Sequence, residues 1–216
     1  MDLKGIKNKL ATIKRTKFGI CIPDLRNFAK EIAREDYKEF FKINDLSTDE
    51  LKLLHAFVLG YAKDNINILI KYFEDLIPNV DSWYVCDSLC QSFKVARKYP
   101  DIFWKFLMKY AHSKAEFESR IVSVCMLSHF LNDEYIDRVI SVLDQLYTER
   151  YYSMMGVAWA IATVMAKYPK KCRSYLQSEF CHLDKTTYKK SLQKIKESFR
   201  TSKDIFLSFP RQKIGI

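Results

Sequence analysis

"MMGVAWAIATVMAKYPKKCRSYLQSEF", residues 154–180, is the stretch whose reading decides the fold. It opens on a long run of apolar and small residues, as a helix packed between neighbours requires. Lys167-Tyr168-Pro169 then stops that run. Proline cannot continue a helix, but it suits the first turn of the next one. A shorter amphipathic segment follows, "KKCRSYLQSEF". The same order recurs upstream. Breaks fall at "YAKDN" (Ala62), "ARKYPD" (Ala96), "LNDEY" (Leu131) and "AKYPKK" (Ala166), at steps of 34, 35 and 35 residues. Each joins a long apolar helix to an amphipathic partner: "INILIKYFEDL", "DIFWKFLMKYA", "YIDRVISVLDQL" and "KKCRSYLQSEF". Two helices in about 35–45 residues are the mark of an α-solenoid of HEAT or related type. An irregular helical bundle is the alternative. The expectation is an all-α fold over residues 1–216, a single domain of HEAT-like helical repeats. Stacked pairs of this kind curve and form a concave surface.

Local signals agree. In "TDELKLLHAFVLGYAKD", Leu51, Leu54, His55, Val58 and Tyr61 fall on one helical face. "FESRIVSVCMLSHFL" reads as a second buried helix. Pro23, Pro78, Pro100 and Pro169 sit near helix starts. Thr48 with Asp49 and Glu50, and Asp133 with Glu134, supply capping oxygens or first-turn acids.

Composition narrows the function. Gly and Pro number only five each among 216 residues, which argues against a turn-rich sandwich or barrel. There is no glycine-rich loop of the kind that cradles phosphates in P-loop and Rossmann nucleotide sites. The net charge is +10. A basic domain meets nucleic acid or an anionic surface, or simply carries a solubility surplus. The charge concentrates at the two ends. "LKGIKNKLATIKRTK" holds six Lys/Arg and no acid, and "KTTYKKSLQKIKESFRTSK" is basic with a single Glu. Such runs serve as phosphate clamps or as solvated helix faces. Phe18, Tyr188 and Phe199 beside them either stack on a ligand or pack.

Six cysteines do not make a disulfide framework. Cys125 and Cys21 read as small buried hydrophobes of a reducing cytosol. The start "MDLKGIKNKLATIKR" has no apolar stretch of a signal peptide, and no run of 18 apolar residues marks a membrane span. Cys86 and Cys90 share a helical face but have no matching second pair. His55, His112, His129 and His182 are scattered. No metal site is expected from them.

The chemistry-bearing candidates lie in the first helices of three successive pairs. In "VDSWYVCDSLC", residues 80–90, Trp83 and Asp87 stand one turn apart on one side of a helix. An electron-rich ring face beside a carboxylate suits a developing cation, as in cleavage of an N-glycosidic bond through an oxocarbenium-like sugar. The plainer reading makes Trp83 core and lets Asp87 bond a backbone group or Arg120. Arg120 is the last charge before an apolar run, and it either pairs with a buried acid or faces an anion. Trp159 is flanked by Gly156, Ala158 and Ala160, which admit a ligand backbone or a neighbouring helix. Trp83 and Arg120 are 37 residues apart, and Arg120 and Trp159 are 39 apart. Both separations are close to the repeat, which predicts that the four converge on one face.

"FGICIPDLRNFAKEIARED", "DSWYVCDSLC", "FESRIVSVCML" and "YYSMMGVAWAIATVMAKYP" together resemble the successive motifs of the DNA alkylation repair (AlkD-like) glycosylases, over about residues 18–203. "YKKSLQKIKESFRTSK" resembles the end of one bacterial branch. The resemblance implies a HEAT-like solenoid that binds duplex DNA on its concave face. It implies a monofunctional, metal-independent enzyme without cofactor, acting as a monomer in the bacterial cytosol and nucleoid. Its implied reaction is release of cationic N3- and N7-alkylated purines, of the 3-methyladenine and 7-methylguanine kind. Asp87 matches the catalytic carboxylate, Trp83 and Trp159 the aromatics lining the lesion nucleotide, and Arg120 the basic residue holding the backbone. Many members carry Arg three residues after the second Trp, where this chain has Ala162. The region before Phe18 is short, which predicts a reduced first DNA-facing helix. Some relatives of this fold bind branched DNA without glycosylase activity. A non-catalytic solenoid for damaged or branched DNA is therefore the alternative, and a protein–protein scaffold is a third reading.

Overall fold

Helix starts set the frame. A computed structural model describes residues 2–17 and 19–198. The described chain is all-α apart from one short hairpin. In order it forms α1 (Leu3–Thr12), strands β1 (Arg15–Thr16) and β2 (Gly19–Ile20), α2 (Ile22–Glu35), α3 (Tyr37–Phe41) and α4 (Asp49–Tyr61). Then come α5 (Ile66–Leu76), α6 (Trp83–Ser92), α7 (Pro100–Leu107) and α8 (Glu116–His129). The series ends with α9 (Ile136–Gln145), α10 (Tyr151–Lys167), α11 (Pro169–Gln177) and α12 (Lys185–Glu197). The helices α4, α6, α8, α10 and α12 begin 34, 33, 35 and 34 residues apart. This is the repeat read from the sequence, and α5, α7, α9 and α11 are its second helices. The fold is an all-α helical repeat.

Several local expectations change. Ala62 caps α4, but Ala96 lies inside a 3-10 turn (Lys94–Lys98), and Ala166 is still within α10. Pro78 begins no α-helix; it sits in a 3-10 turn (Ile77–Asn79) that follows α5. Thr48 accepts from the Leu51 N–H at 3.3 Å, as its type and place require. Asp133 and Glu134 do not cap α9. Asn132 Oδ1 accepts from the Tyr135 N–H at 3.0 Å one turn earlier, and α9 starts only at Ile136. Before the hairpin, α1 runs ten residues, is capped by Asp2, and buries Ile6 and Leu10.

The chain resolves into two compact units, divided between Phe103 and Trp104. In the first, α4 lies between α2 and α6. Leu54, Phe57 and Val58 of α4 are fully buried, each contributing roughly 1.5–3 kcal/mol. Residue Gly60 lets α6 come close, because a Cβ there would stand 2.7 Å from Ser92 Cβ and from the Ser92 carbonyl oxygen. Phe73, Phe93 and Phe103 form an aromatic core with ring centroids 5.0–5.6 Å apart. The hairpin pairs Arg15 with Ile20 and Thr16 with Gly19. Gly19 takes φ +106, a conformation in which side chains are strained.

In the second unit α10 lies between α8 and α12. α10 is buried along most of its length, from Ser153 to Met165. α12 is amphipathic, burying Thr187, Tyr188, Ser191, Leu192 and Ile195. Trp104 packs against Phe130 and Tyr135, with centroids 5.1 and 5.3 Å away, and the Arg138 guanidinium lies 4.3 Å over the Trp104 ring.

Hydrogen bonds repeat with the same period. Arg15 pairs with Glu50 at 2.9 Å, Glu116 with Tyr152 N at 2.6 Å, Thr148 with Asp184 at 2.9 Å, and Lys171 with Asp137 at 2.6 Å. The partners in these bonds are 34–36 residues apart. Equivalent positions of neighbouring repeats are thus tied directly, as stacked repeats require.

Candidate functional site

Trp83 and Asp87 belong to the first unit, on α6. Trp83 is the first residue of the helix and is 50% exposed, although its ring is large and apolar. It is therefore surface rather than core. Its edge meets the Tyr84 ring at 5.7 Å and 88°. Tyr84 in turn donates its hydroxyl to the Asp49 carboxylate at the start of α4, and burial with that carboxylate raises its phenol above the ordinary range. Lys52 of α4 bridges to Asp81, just ahead of α6, at 2.6 Å. The first turn of α6, and with it Trp83, is anchored to α4 by these two bonds.

Asp87 is 9% exposed. Its neighbours one turn away on either side, Trp83 and Gln91, are both exposed, whereas Cys86 and Cys90 are sealed. The carboxylate thus sits at the border between the open stripe of α6 and its buried face. The two cysteines are packing residues, as are Cys125 and Cys172, while Cys21 is half-buried. All six are free thiols, and burial pushes the Cys172 thiol up to about 12. Among the described residues no three His, Cys, Asp or Glu side chains are grouped to hold a metal ion.

Arg120 and Trp159 belong to the second unit, on α8 and α10. Arg120 is 5% exposed, and its Nη1 donates to the Tyr152 carbonyl at 2.9 Å. One turn earlier on α8, Glu116 accepts from the Tyr152 N–H, and Phe117 stacks on the Tyr152 ring at 5.5 Å. Gly156 admits the α8 backbone: a Cβ there would overlap Ser123 Oγ and stand 3.3 Å from Arg120 Cγ. Of the two uses the sequence left open for the small residues around Trp159, Gly156 serves the neighbouring helix. Trp159 is half-buried, and its carbonyl accepts from Thr163 Oγ1 at 2.8 Å. Ala162 is 4% exposed, so the position offers no charged side chain to DNA.

Counted from helix starts, Asp87 and Arg120 are both fifth residues, Trp83 is a first and Trp159 a ninth. Positions one, five and nine mark one stripe of a helix. The cleft of about 680 Å³ at the starts of α10 and α12, lined among others by Tyr147, Tyr151 and His182, includes none of the four.

The basic ends divide. Lys7 and Arg15 pair with Asp45 and Glu50 at 2.7 and 2.9 Å. On α12, Lys185, Lys189 and Lys196 are exposed. Tyr188 is 5% exposed and donates to the Leu176 carbonyl at 3.1 Å, so it packs rather than stacks on a ligand. Phe18 and Phe199 lie outside the described residues. Sequence reading took Asp49 only as a first-turn acid and not as the partner of Tyr84, and it missed Tyr84 and Glu116. Only the spacing of Glu116 to Arg120, one turn on α8, hinted at the last.

Repeated helix pairs in a chain of net charge +10 define a basic, all-α helical repeat protein. The sequence matches the family described as DNA alkylation repair enzyme over residues 6–195, and the chain belongs to that family. Its role is enzymatic repair of alkylated DNA, with DNA as substrate. A search of curated proteins and a search of solved structures each give no match. No helix of the described residues is long and apolar enough to cross a membrane.

Proposed function

We propose that the protein is a monofunctional DNA glycosylase that excises N3- and N7-alkylated purines from double-stranded DNA. Alkylation makes such a purine a cation, so it leaves as a neutral base when the C1′–N9 bond breaks and takes the bonding pair with it. The sugar becomes oxocarbenium-like; water adds to C1′ and loses a proton, leaving an abasic site. Leaving-group protonation is unnecessary. A carboxylate near C1′ stabilises the sugar cation and orients the water. Asp87 has this role. Trp83 and Trp159 offer ring faces to the cationic nucleotide, and Arg120 holds the DNA backbone beside it. The protein acts as a monomer in the bacterial cytosol, without metal or cofactor.

The observation that carries this reading is the carboxylate of Asp87 at the open border of α6, one turn from the half-exposed ring of Trp83. A core tryptophan would not keep half its surface in water. The test is release of methylated purine from alkylated duplex, followed chromatographically. Release by the wild type is expected; its absence sinks the reading.

The second reading is binding to damaged or branched DNA without base release. Two observations favour it: the low exposure of Asp87, and alanine at position 162. It predicts salt-sensitive DNA affinity that Asp87→Asn leaves intact, with no free base at any enzyme concentration.

A further inference from the structure

We propose that Glu116 and Gly156 are positioning residues for Arg120. The inference rests on the reading that Arg120 holds the DNA backbone. Both backbone groups of Tyr152 are engaged by α8: the N–H by Glu116 Oε1 at 2.6 Å, the carbonyl by Arg120 Nη1 at 2.9 Å. Glu116 and Arg120 are one turn apart, so α8 grips a single residue of α10 with two charged side chains. The Glu116 bond satisfies an N–H of the first turn of α10 that has no partner within that helix. The Arg120 bond pins one nitrogen of the guanidinium and so restricts where the rest of the fork can point.

Gly156 is what allows this. It lies one turn beyond Tyr152, beneath the stem of Arg120. An added methyl would stand 3.3 Å from Arg120 Cγ and overlap Ser123 Oγ. The stem would then have to give by a few tenths of an ångström, and the guanidinium with it. Misplacement of a substrate-holding group by about 1 Å costs up to roughly 100-fold in rate, and a shift of this smaller size correspondingly less. Glycine inside a helix is unfavourable because it gives up more backbone freedom than other residues, and the approach of Arg120 and Ser123 accounts for it here.

The experiment uses the full chain and alkylated duplex. Gly156→Ala is combined with Ser123→Ala, which removes the hydroxyl overlap together with the Ser123 hydroxyl's bond to the Arg120 carbonyl at 2.9 Å, so Ser123→Ala alone is the reference against which the pair is read. Single-turnover excision, half-saturating enzyme concentration, melting temperature and the Arg120 Nε–H resonance in ¹⁵N NMR are recorded. Relative to Ser123→Ala alone, the expected result is an excision rate lower by about twofold to tenfold, an Arg120 resonance that moves, and no further loss when the pair is added to Arg120→Ala. Glu116→Ala and Glu116→Gln repeat the cycle from the other end, without altering the helix crossing. Glu116→Gln keeps an acceptor for Tyr152 N–H and retains most of the rate. An equal loss in the Arg120→Ala background shows general packing damage and overturns the proposal. An Arg120 resonance that stays put also overturns it. If Arg120→Ala itself leaves excision and DNA affinity unchanged, or the wild type releases no base, the parent reading of Arg120 fails. The resonance then decides the positioning alone.

Discussion

The Glu116 carboxylate accepts from the Tyr152 backbone N–H at 2.6 Å, across 36 residues of sequence. The pair is one repeat apart. It shows how this chain stacks: an acid at the start of one first helix secures the start of the next. Asp49 does the same for α6 through the Tyr84 hydroxyl. The candidate carboxylate stands four residues after the secured start of α6, and the candidate arginine four residues after the acid that secures α10. Their placement therefore depends on the contacts that hold the helix ends.

Tyr84→Phe tests that dependence in the first unit. It deletes a hydroxyl bonded to Asp49 and leaves the ring. A hydrogen bond to a charged group contributes about 1.5–3 kcal/mol. Thermal unfolding is expected to show a loss within that range, discounted toward its lower end because the pair is only part-buried. Excision is expected to fall as well, because Trp83 rests against Tyr84. Unchanged excision with lowered stability would show that Trp83 is held by other means.

Gly60→Ala tests the close crossing of α4 and α6. The new Cβ meets backbone as well as side chain of Ser92, each at 2.7 Å. Backbone cannot step aside as a flexible side chain can, so the helices must separate. Overpacking of this kind costs about 1–3 kcal/mol. Ser92→Gly is not expected to rescue it, since the Ser92 carbonyl remains. Rescue would show that the side chain alone sets the spacing.

Stability is expected to fall on mild acidification because of His55. This histidine is buried on α4, with Nδ1 2.8 Å from the Leu51 carbonyl and Nε2 3.1 Å from that of Ile43. A neutral ring donates through one nitrogen only. The charged ring would donate through both, but burial outweighs that gain and holds the imidazole below the usual histidine range. The unfolded chain therefore binds this proton more readily than the folded one. The contribution is fully present above the unfolded value of about 6.5 and is lost as pH falls below it. Denaturant unfolding at stepped pH checks this, with His55→Gln expected to flatten the slope between pH 6.5 and the lower value of the folded state. A wild-type slope unchanged by the substitution would contradict the assignment.

The repeat was legible because helix breaks are chemically blunt. Pro100 and Pro169 start α7 and α11 as their fixed φ dictates, and Thr48 caps α4. What escaped were choices between near-equal neighbours. Asn132 rather than Asp133 caps the chain before α9, because only its side chain reaches the Tyr135 N–H. Tyr188 beside a lysine run could have stacked or packed, and the difference is one hydroxyl reaching the Leu176 carbonyl. Of the candidate site, the residue types were legible and their support was not. Trp83 and Asp87 announce themselves by type and spacing. Asp49 and Tyr84 are ordinary residues whose 35-residue separation matters only once the repeat has stacked.

The central claim is that the Asp87 carboxylate carries charge needed in the transition state. Asp87→Asn keeps the size and removes the charge. Single-turnover release of alkylated purine from duplex DNA by Asp87→Asn and wild type, at equal DNA occupancy, is the most direct measurement. The account predicts release by the wild type and a loss of about 10²–10³-fold in the variant, with DNA affinity retained. Equal rates of release by both would contradict it.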